Sequence, residues 1–166
     1  SHGFLMGNHS GDKDGIWASM AFAEMAAALK ENKLTPIDRL NQIYQQYEVH
    51  LDALGTQTFK GTKGMAKIQQ IMRELRNSPP ESVAGQAVVK ITDYLENKII
   101  CGNETRQGPG LPQSNVIALE LADNSRITAR PSGTEPKIKY YFNLQGKDSE
   151  MLNRRLASIQ ADFIKD

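Results

Sequence analysis

The sequence predicts an α+β fold: an antiparallel sheet packed by two main helices, preceded by a helical segment that belongs to a larger layered domain. Three observations predict it. Residues 115–144 read NVIALEL, ADNS, RITAR and, after a kinked loop, IKYYFNL, consecutive strands whose last member sets Ile138, Tyr140, Phe142 and Leu144 on one face. Two stretches of helical spacing flank them, Met65, Ile68, Met72 and Leu75 before, and Leu152, Leu156, Ile159 and Phe163 after. Upstream, IWASMAFAEMAAALKENK is apolar almost all the way round, broken by Ser19 and Glu24, so it requires burial on most of its sides.

The elements follow in order. Residues 1–15, SHGFLMGNHSGDKDG, hold four glycines and no periodicity, which reads as loop. After the apolar helix, a second begins with Thr35 as N-cap and Pro36 at the first helical position, with Ile37, Leu40, Ile43, Tyr44 and Tyr47 in one stripe. Two helices cannot enclose the first, so residues 1–48 form the edge of a larger layered domain, and a second domain covers 49–166. HLDALGTQTF, residues 50–59, suits a strand. TKGMAKIQQIMRELRNS follows as a helix, widened by Ile71 and stopped by SPPE. A short strand lies near AVVKITDYL, and CGNETRQGPGLPQS, residues 101–114, reads as a surface loop from its Gly and Pro content. The final helix takes Asp148 as its cap.

Composition narrows the function classes. Of 166 residues, 39% are apolar and 23% charged, with mean hydropathy -0.50, values of soluble globular chains rather than disordered or membrane ones. Twenty basic residues against nineteen acidic leave a net charge of +1, without the one-signed field of a phosphate-backbone binder. The expectation is therefore no nucleic acid, no membrane and a cytoplasmic location. The single cysteine, Cys101, has no partner for an internal disulfide and no nearby histidine to activate it, so it reads as a small apolar or incidental loop residue.

The kinked loop is the chemically dense stretch. Within ARPSGTEPKIKYYF, Pro131 and Pro136 remove two backbone donors and fix φ, while Gly133 permits φ above zero, so that successive N–H groups can form an anion nest. Arg130 supplies a planar fork matched to two phosphate oxygens, Ser132 and Thr134 supply hydroxyls, and Lys137 adds a compact positive charge. The set suits a dianionic phosphate monoester. The competing view is an ordinary turn, with Arg130 and Glu135 in a surface ion pair.

RPSGTEPKIKYYF resembles the phosphate-binding loop of the fourth domain of the phosphohexomutases, the phosphoglucomutase and phosphomannomutase family. DKDGIWASMAFAEMA, residues 12–26, is similar to the family's segment near the end of the third domain, where a Lys-Asp-Gly triplet enters a helix. FKGTKGMAKIQQIMRELR also fits the first helix of the fourth domain. SHGFLMG looks like the trailing edge of the sugar-recognition loop, without its glutamates, which makes Ser1 and His2 candidate sugar contacts.

The resemblance covers essentially the whole chain. It implies that residues 1–48 are the helical end of the α/β third domain and that 49–166 are the C-terminal, TBP-like fourth domain. It implies an enzyme that moves a phosphoryl group between the 1- and 6-positions of a hexose phosphate, through a phosphoserine and a bisphosphate intermediate. Mg2+ would be held by aspartates outside this chain. The partners implied are a hexose phosphate and the remaining N-terminal domains of the same enzyme. This chain alone would grip the non-transferred phosphate through Arg130, Ser132, Gly133, Thr134 and Lys137 without catalysing, and Lys13 matches a family lysine that is a candidate for proton transfer.

Other features have plainer readings. Asp12, Lys13 and Asp14 form a charge cluster in which Asp14 caps a helix, and His2 and His9 lack regular metal-ligand spacing. His50 reads as structural and Trp17 as core. Two alternatives come from other classes. Gly61-Thr62-Lys63-Gly64 fits the GxxG loop of a KH-like RNA-binding module, and the phosphate loop could serve a non-catalytic phosphosugar-binding module.

Overall fold

The computed structural model describes residues 3–8, 11–61 and 63–164; Ser1, His2, His9 and Thr62, singled out above, lie outside the described residues. The chain divides into two compact units, Ser1–Glu48 and Val49–Asp166.

In the first unit, helix α1 (Gly15–Glu31) starts where Asp14, in extended backbone, accepts from the N–H groups of Ile16 and Trp17 at 2.8 and 3.1 Å. Helix α2 (Pro36–Tyr47) starts with a capping box: Thr35 Oγ1 accepts from Asp38 N at 3.1 Å, and Asp38 Oδ2 accepts from Thr35 N at 2.7 Å. Neither helix has a buried residue, and Ile16, Met20, Phe22 and Ile37 stay exposed. Trp17 is half-buried rather than core, because its indole N–H donates to the Met6 carbonyl of the preceding loop at 3.0 Å.

The second unit is an antiparallel sheet with two helices on one face. Strand β1 (Val49–Thr58) leads into helix α3 (Gly64–Asn77); β2 (Ser82–Val83), β3 (Gln86–Asp93), β4 (Lys98–Cys101), β5 (Glu104–Gln107), β6 (Ile117–Leu121), β7 (Arg126–Pro131) and β8 (Lys137–Gly146) follow, and helix α4 (Ser149–Phe163) closes the order. The strands lie as β1-β8-β7-β6-β3-β4-β5, with β2 paired to β3. The last strand therefore sits between β1 and β7, joining the first strand to the β6-β7-β8 meander. Its ladder to β1 runs unbroken from Val49↔Gly146 to Thr58↔Lys137.

Alternation along β8 decides the core. Ile138, Tyr140, Phe142 and Leu144 are all at most 2% exposed, joined by Ile127 and Ala129 of β7 and by Ile117, Leu119 and Leu121 of β6. Ile68 and Met72 of α3, with Leu152 and Ile159 of α4, complete that cluster. Leu156 and Phe163 pack at its margin, where Phe163 meets the Tyr140 ring edge-on at 5.6 Å. The α3 face is the expected one at Ile68, Met72, Ile71 and Leu75, but Met65 is 41% exposed and Gly64 takes the buried place in the first turn.

Residues 101–114 differ from the expected surface loop. Cys101 ends β4, a two-residue turn with Gly102 at φ 57° follows, and Glu104–Gln107 pair back as β5 before the Gly- and Pro-rich segment begins. The composition concealed this because an edge strand exposed at every position needs no apolar alternation, and its charges suit an edge. A second tight hairpin, β2 to β3, turns at Ala84 and Gly85, both at positive φ (46° and 79°).

One buried charge is held inside this unit. Asp93, 1% exposed, accepts from Arg76 Nε at 2.8 Å and from the N–H groups of Leu95 and Glu96, while Arg76 Nη2 donates to Asn115 at 2.6 Å. The pair ties the end of α3 to the point where β3 turns out of the sheet. Replacing Arg76 with alanine leaves that carboxylate buried without its counter-charge, so denaturant unfolding should show a loss of about 3–5 kcal/mol.

The Tyr140 hydroxyl donates to Gln57 Oε1 at 3.2 Å, and burial pushes its pKa up to about 12. With the folded pKa above the unfolded one, its contribution to stability is complete below the ordinary tyrosine range and is lost as pH rises towards that value. An ultraviolet titration of the five tyrosines should resolve one late phenol, absent in Tyr140→Phe.

Candidate functional site

The β7–β8 connection is built from both strands. Beyond the Pro131↔Ile138 pair, Ser132 N donates to the Lys137 carbonyl at 2.9 Å, Lys137 N donates to the Glu135 carbonyl at 2.7 Å, and Ser132 Oγ accepts from Glu135 N at 3.3 Å. Ser132 is thus anchored at both backbone and side chain, and its hydroxyl proton stays available for donation. Gly133 does not take the positive φ expected of an anion nest. A Cβ there would meet no protein atom within 4 Å, so its smallness leaves open space beside the loop rather than permitting a special backbone turn.

A hollow of about 200 Å³ opens against this loop, lined by Arg130, Pro131, Ser132, Gly133, Lys139 and Tyr141. The register explains the set. Arg130 faces Lys139 across the β7–β8 ladder, and Tyr141 follows two residues on, so all three point away from the core on the face opposite Ala129 and Tyr140. No carboxylate lines the hollow. Among the described residues neither Arg130 nor Lys139 makes an ion pair, and Glu135 pairs with Lys137 rather than with Arg130.

Of the residues singled out from sequence, Arg130, Ser132 and Gly133 line the hollow. Thr134 is exposed at the loop tip, and Lys137, engaged with Glu135, lies outside the lining. Lys139 and Tyr141 take part instead. Both were accessible to sequence reasoning: once Ile138, Tyr140 and Phe142 are assigned to the core face, the odd-numbered residues of β8 must face the other way.

Lys13 is exposed and bonds its neighbour, with Nζ 3.1 Å from Asp12 Oδ1, which also accepts from Lys13 N at 2.7 Å. Those bonds hold the Asp12 carboxyl below the usual carboxylate range. His50 sits exposed on β1. The second glycine of Gly61–Gly64 is buried against Phe59, which explains that pattern by packing. Among the described residues no three His, Cys, Asp or Glu side chains converge, and none of their helices is long and apolar enough to cross a membrane.

No family model matches the chain. Curated relatives do. A phosphoglucomutase of Staphylococcus aureus strain MRSA252 is 37% identical over 157 residues, 94% of this chain and 28% of the relative. That of strain USA300 is 39% identical over 146 residues, 87% of this chain and 26% of the relative. The chain thus spans little more than a quarter of the length of the relatives it matches. Among solved structures, the open form of the exocytosis-sensitive phosphoprotein pp63/parafusin, a phosphoglucomutase from Paramecium, superposes with a TM-score of 0.55 over 92% of this chain at 19% identity, a likeness of fold. Over nearly its whole length, the chain is homologous to the C-terminal part of phosphoglucomutases.

Proposed function

We propose that the chain is the phosphate-holding part of a phosphohexomutase, an isomerase that relocates a phosphoryl group between the 1- and 6-positions of a hexose phosphate. In this assignment residues 1–48 are the end of the third domain and 49–166 the fourth. One observation carries the proposal: a guanidinium, an ammonium and a serine hydroxyl line one hollow that contains no acid. Its volume, about 200 Å³, falls below the roughly 300–1,000 Å³ of sites that enclose a whole small molecule. It therefore suits one end of a ligand, with the rest lying against other parts of the enzyme.

Arg130 presents parallel N–H donors to two phosphate oxygens, Lys139 balances the remaining charge, and Ser132 donates its free proton. Thr134 and Lys137 complete the grip from the tip, Lys137 by leaving Glu135 for the incoming anion. Holding the phosphate that is not transferred orients the sugar so that its free hydroxyl meets the phosphoserine of the intact enzyme. The transfer itself, the bisphosphate intermediate and Mg2+ binding belong to domains outside this chain, and Lys13 is the candidate for proton transfer. The homology does not favour the KH-like alternative.

Titrating the chain with inorganic phosphate or glucose 1-phosphate should shift the amide signals of residues 130–137. Arg130→Ala should abolish the response, and no mutase turnover should accompany it. Shifts confined to other regions, or an unchanged response in the variant, would refute the assignment. Oligonucleotide binding with a steep salt dependence, lost on changing Lys63, would support the RNA-binding alternative instead.

A further inference from the structure

The Gly61–Gly64 stretch, unused by the site, touches the phosphate loop from behind. Past the last β1–β8 pair, Phe59 N donates to the Pro136 carbonyl at 2.9 Å, carrying the ladder one step into the loop. Gly61, at φ 84°, then turns the chain, and its carbonyl accepts from Gly64 N at 3.1 Å as α3 begins. Gly64 is buried there. A Cβ on it would lie 2.4 Å from the Phe59 carbonyl oxygen and 3.1 Å from Pro136 Cβ, the first distance well inside contact range. The Lys67 ammonium, 4.7 Å above the Phe59 ring, holds the same corner from the helix side.

We infer that Gly64 is a positioning residue for the phosphate site: the Phe59 carbonyl leaves no room for a side chain in the β1–α3 corner, and the shift that a Cβ would force there falls on Pro136, the loop residue packed against the same point. Pro136 precedes Lys137, whose carbonyl accepts from Ser132 N, so a push on Pro136 passes directly into the wall of the hollow. The phosphate part of this inference rests on the function proposed above, whereas the brace itself does not.

The test compares Gly64→Ala with Gly85→Ala. Gly85, in the β2–β3 hairpin, has a positive φ (79°) and a Cβ there meets nothing within 4 Å, so alanine strains the fold without pressing on the loop. In Gly64→Ala the amides of residues 132–135 and 137 should move, and inorganic phosphate should bind about tenfold more weakly or worse, as a small misplacement of a positioning group costs. Gly85→Ala should lose stability but change neither readout.

Unmoved loop amides in Gly64→Ala would overturn the brace, as would equal loop shifts in Gly85→Ala. If the parent chain shows no response to phosphate, the functional proposal falls, while the amide shifts still judge the brace. Should Gly64→Ala fail to fold, Pro136→Gly removes the contact from the loop side, and unchanged amides at Ser132 and Gly133 would then overturn the inference.

Discussion

The two-residue period of β8 is the constraint on which the rest of this structure turns. Ile138, Tyr140, Phe142 and Leu144 are sealed beneath α3 and α4, and that burial is the main apolar gain available to the second unit. Once those residues face inward, Lys139 and Tyr141 have no choice but to face outward. A slip of one residue would bury a lysine and expose a phenylalanine, so the energy that selects the register also selects the walls of the hollow. The site inherits its geometry from the core.

That dependence explains how cationic groups come to share one small space without acids between them. Arg130 and Lys139 are opposite neighbours on adjacent strands, an arrangement that is destabilising for like charges. Both are at least partly solvated, which lowers the cost, and a dianionic ligand would remove it. By contrast, the carboxylate nearest the loop, Glu135, is drawn to Lys137 at the tip. The buried charge of this unit, Asp93, lies in β3 and is neutralised by Arg76 and by backbone N–H groups. Asp93 is thus paired where it is buried, while Arg130 and Lys139, on the surface hollow, make no ion pair among the described residues.

The two units also differ in how their apolar residues are used. In Val49–Asp166 the apolar side chains of the sheet and its helices close on one another in one cluster. In Ser1–Glu48 the helices are well capped, by Asp14 and by the Thr35–Asp38 box, yet Ile16, Met20 and Phe22 remain exposed. Capping stabilises a helix end locally, by about 1 kcal/mol; it does not cover an apolar face. The relatives that the chain matches are more than three times as long as it is.

From sequence alone, the α+β class, the capping residues Asp14, Thr35 and Asp148 and the apolar faces of β8 and α4 were all legible, because each rests on local periodicity or on a side chain bonding its own neighbouring backbone. The grouping of Arg130, Ser132 and Gly133 was legible too, and these three line one hollow. What only the tertiary structure decided were matters of partnership. The polar hairpin β4–β5 has no signature without the sheet edge it extends, Lys139 joins Arg130 only through strand register, and Glu135 chooses Lys137 by proximity. Gly64 looked like a motif residue and is a packing residue: the Phe59 carbonyl five residues back leaves it no room for a side chain, and Pro136 reaches the same point only once β8 has paired with β1.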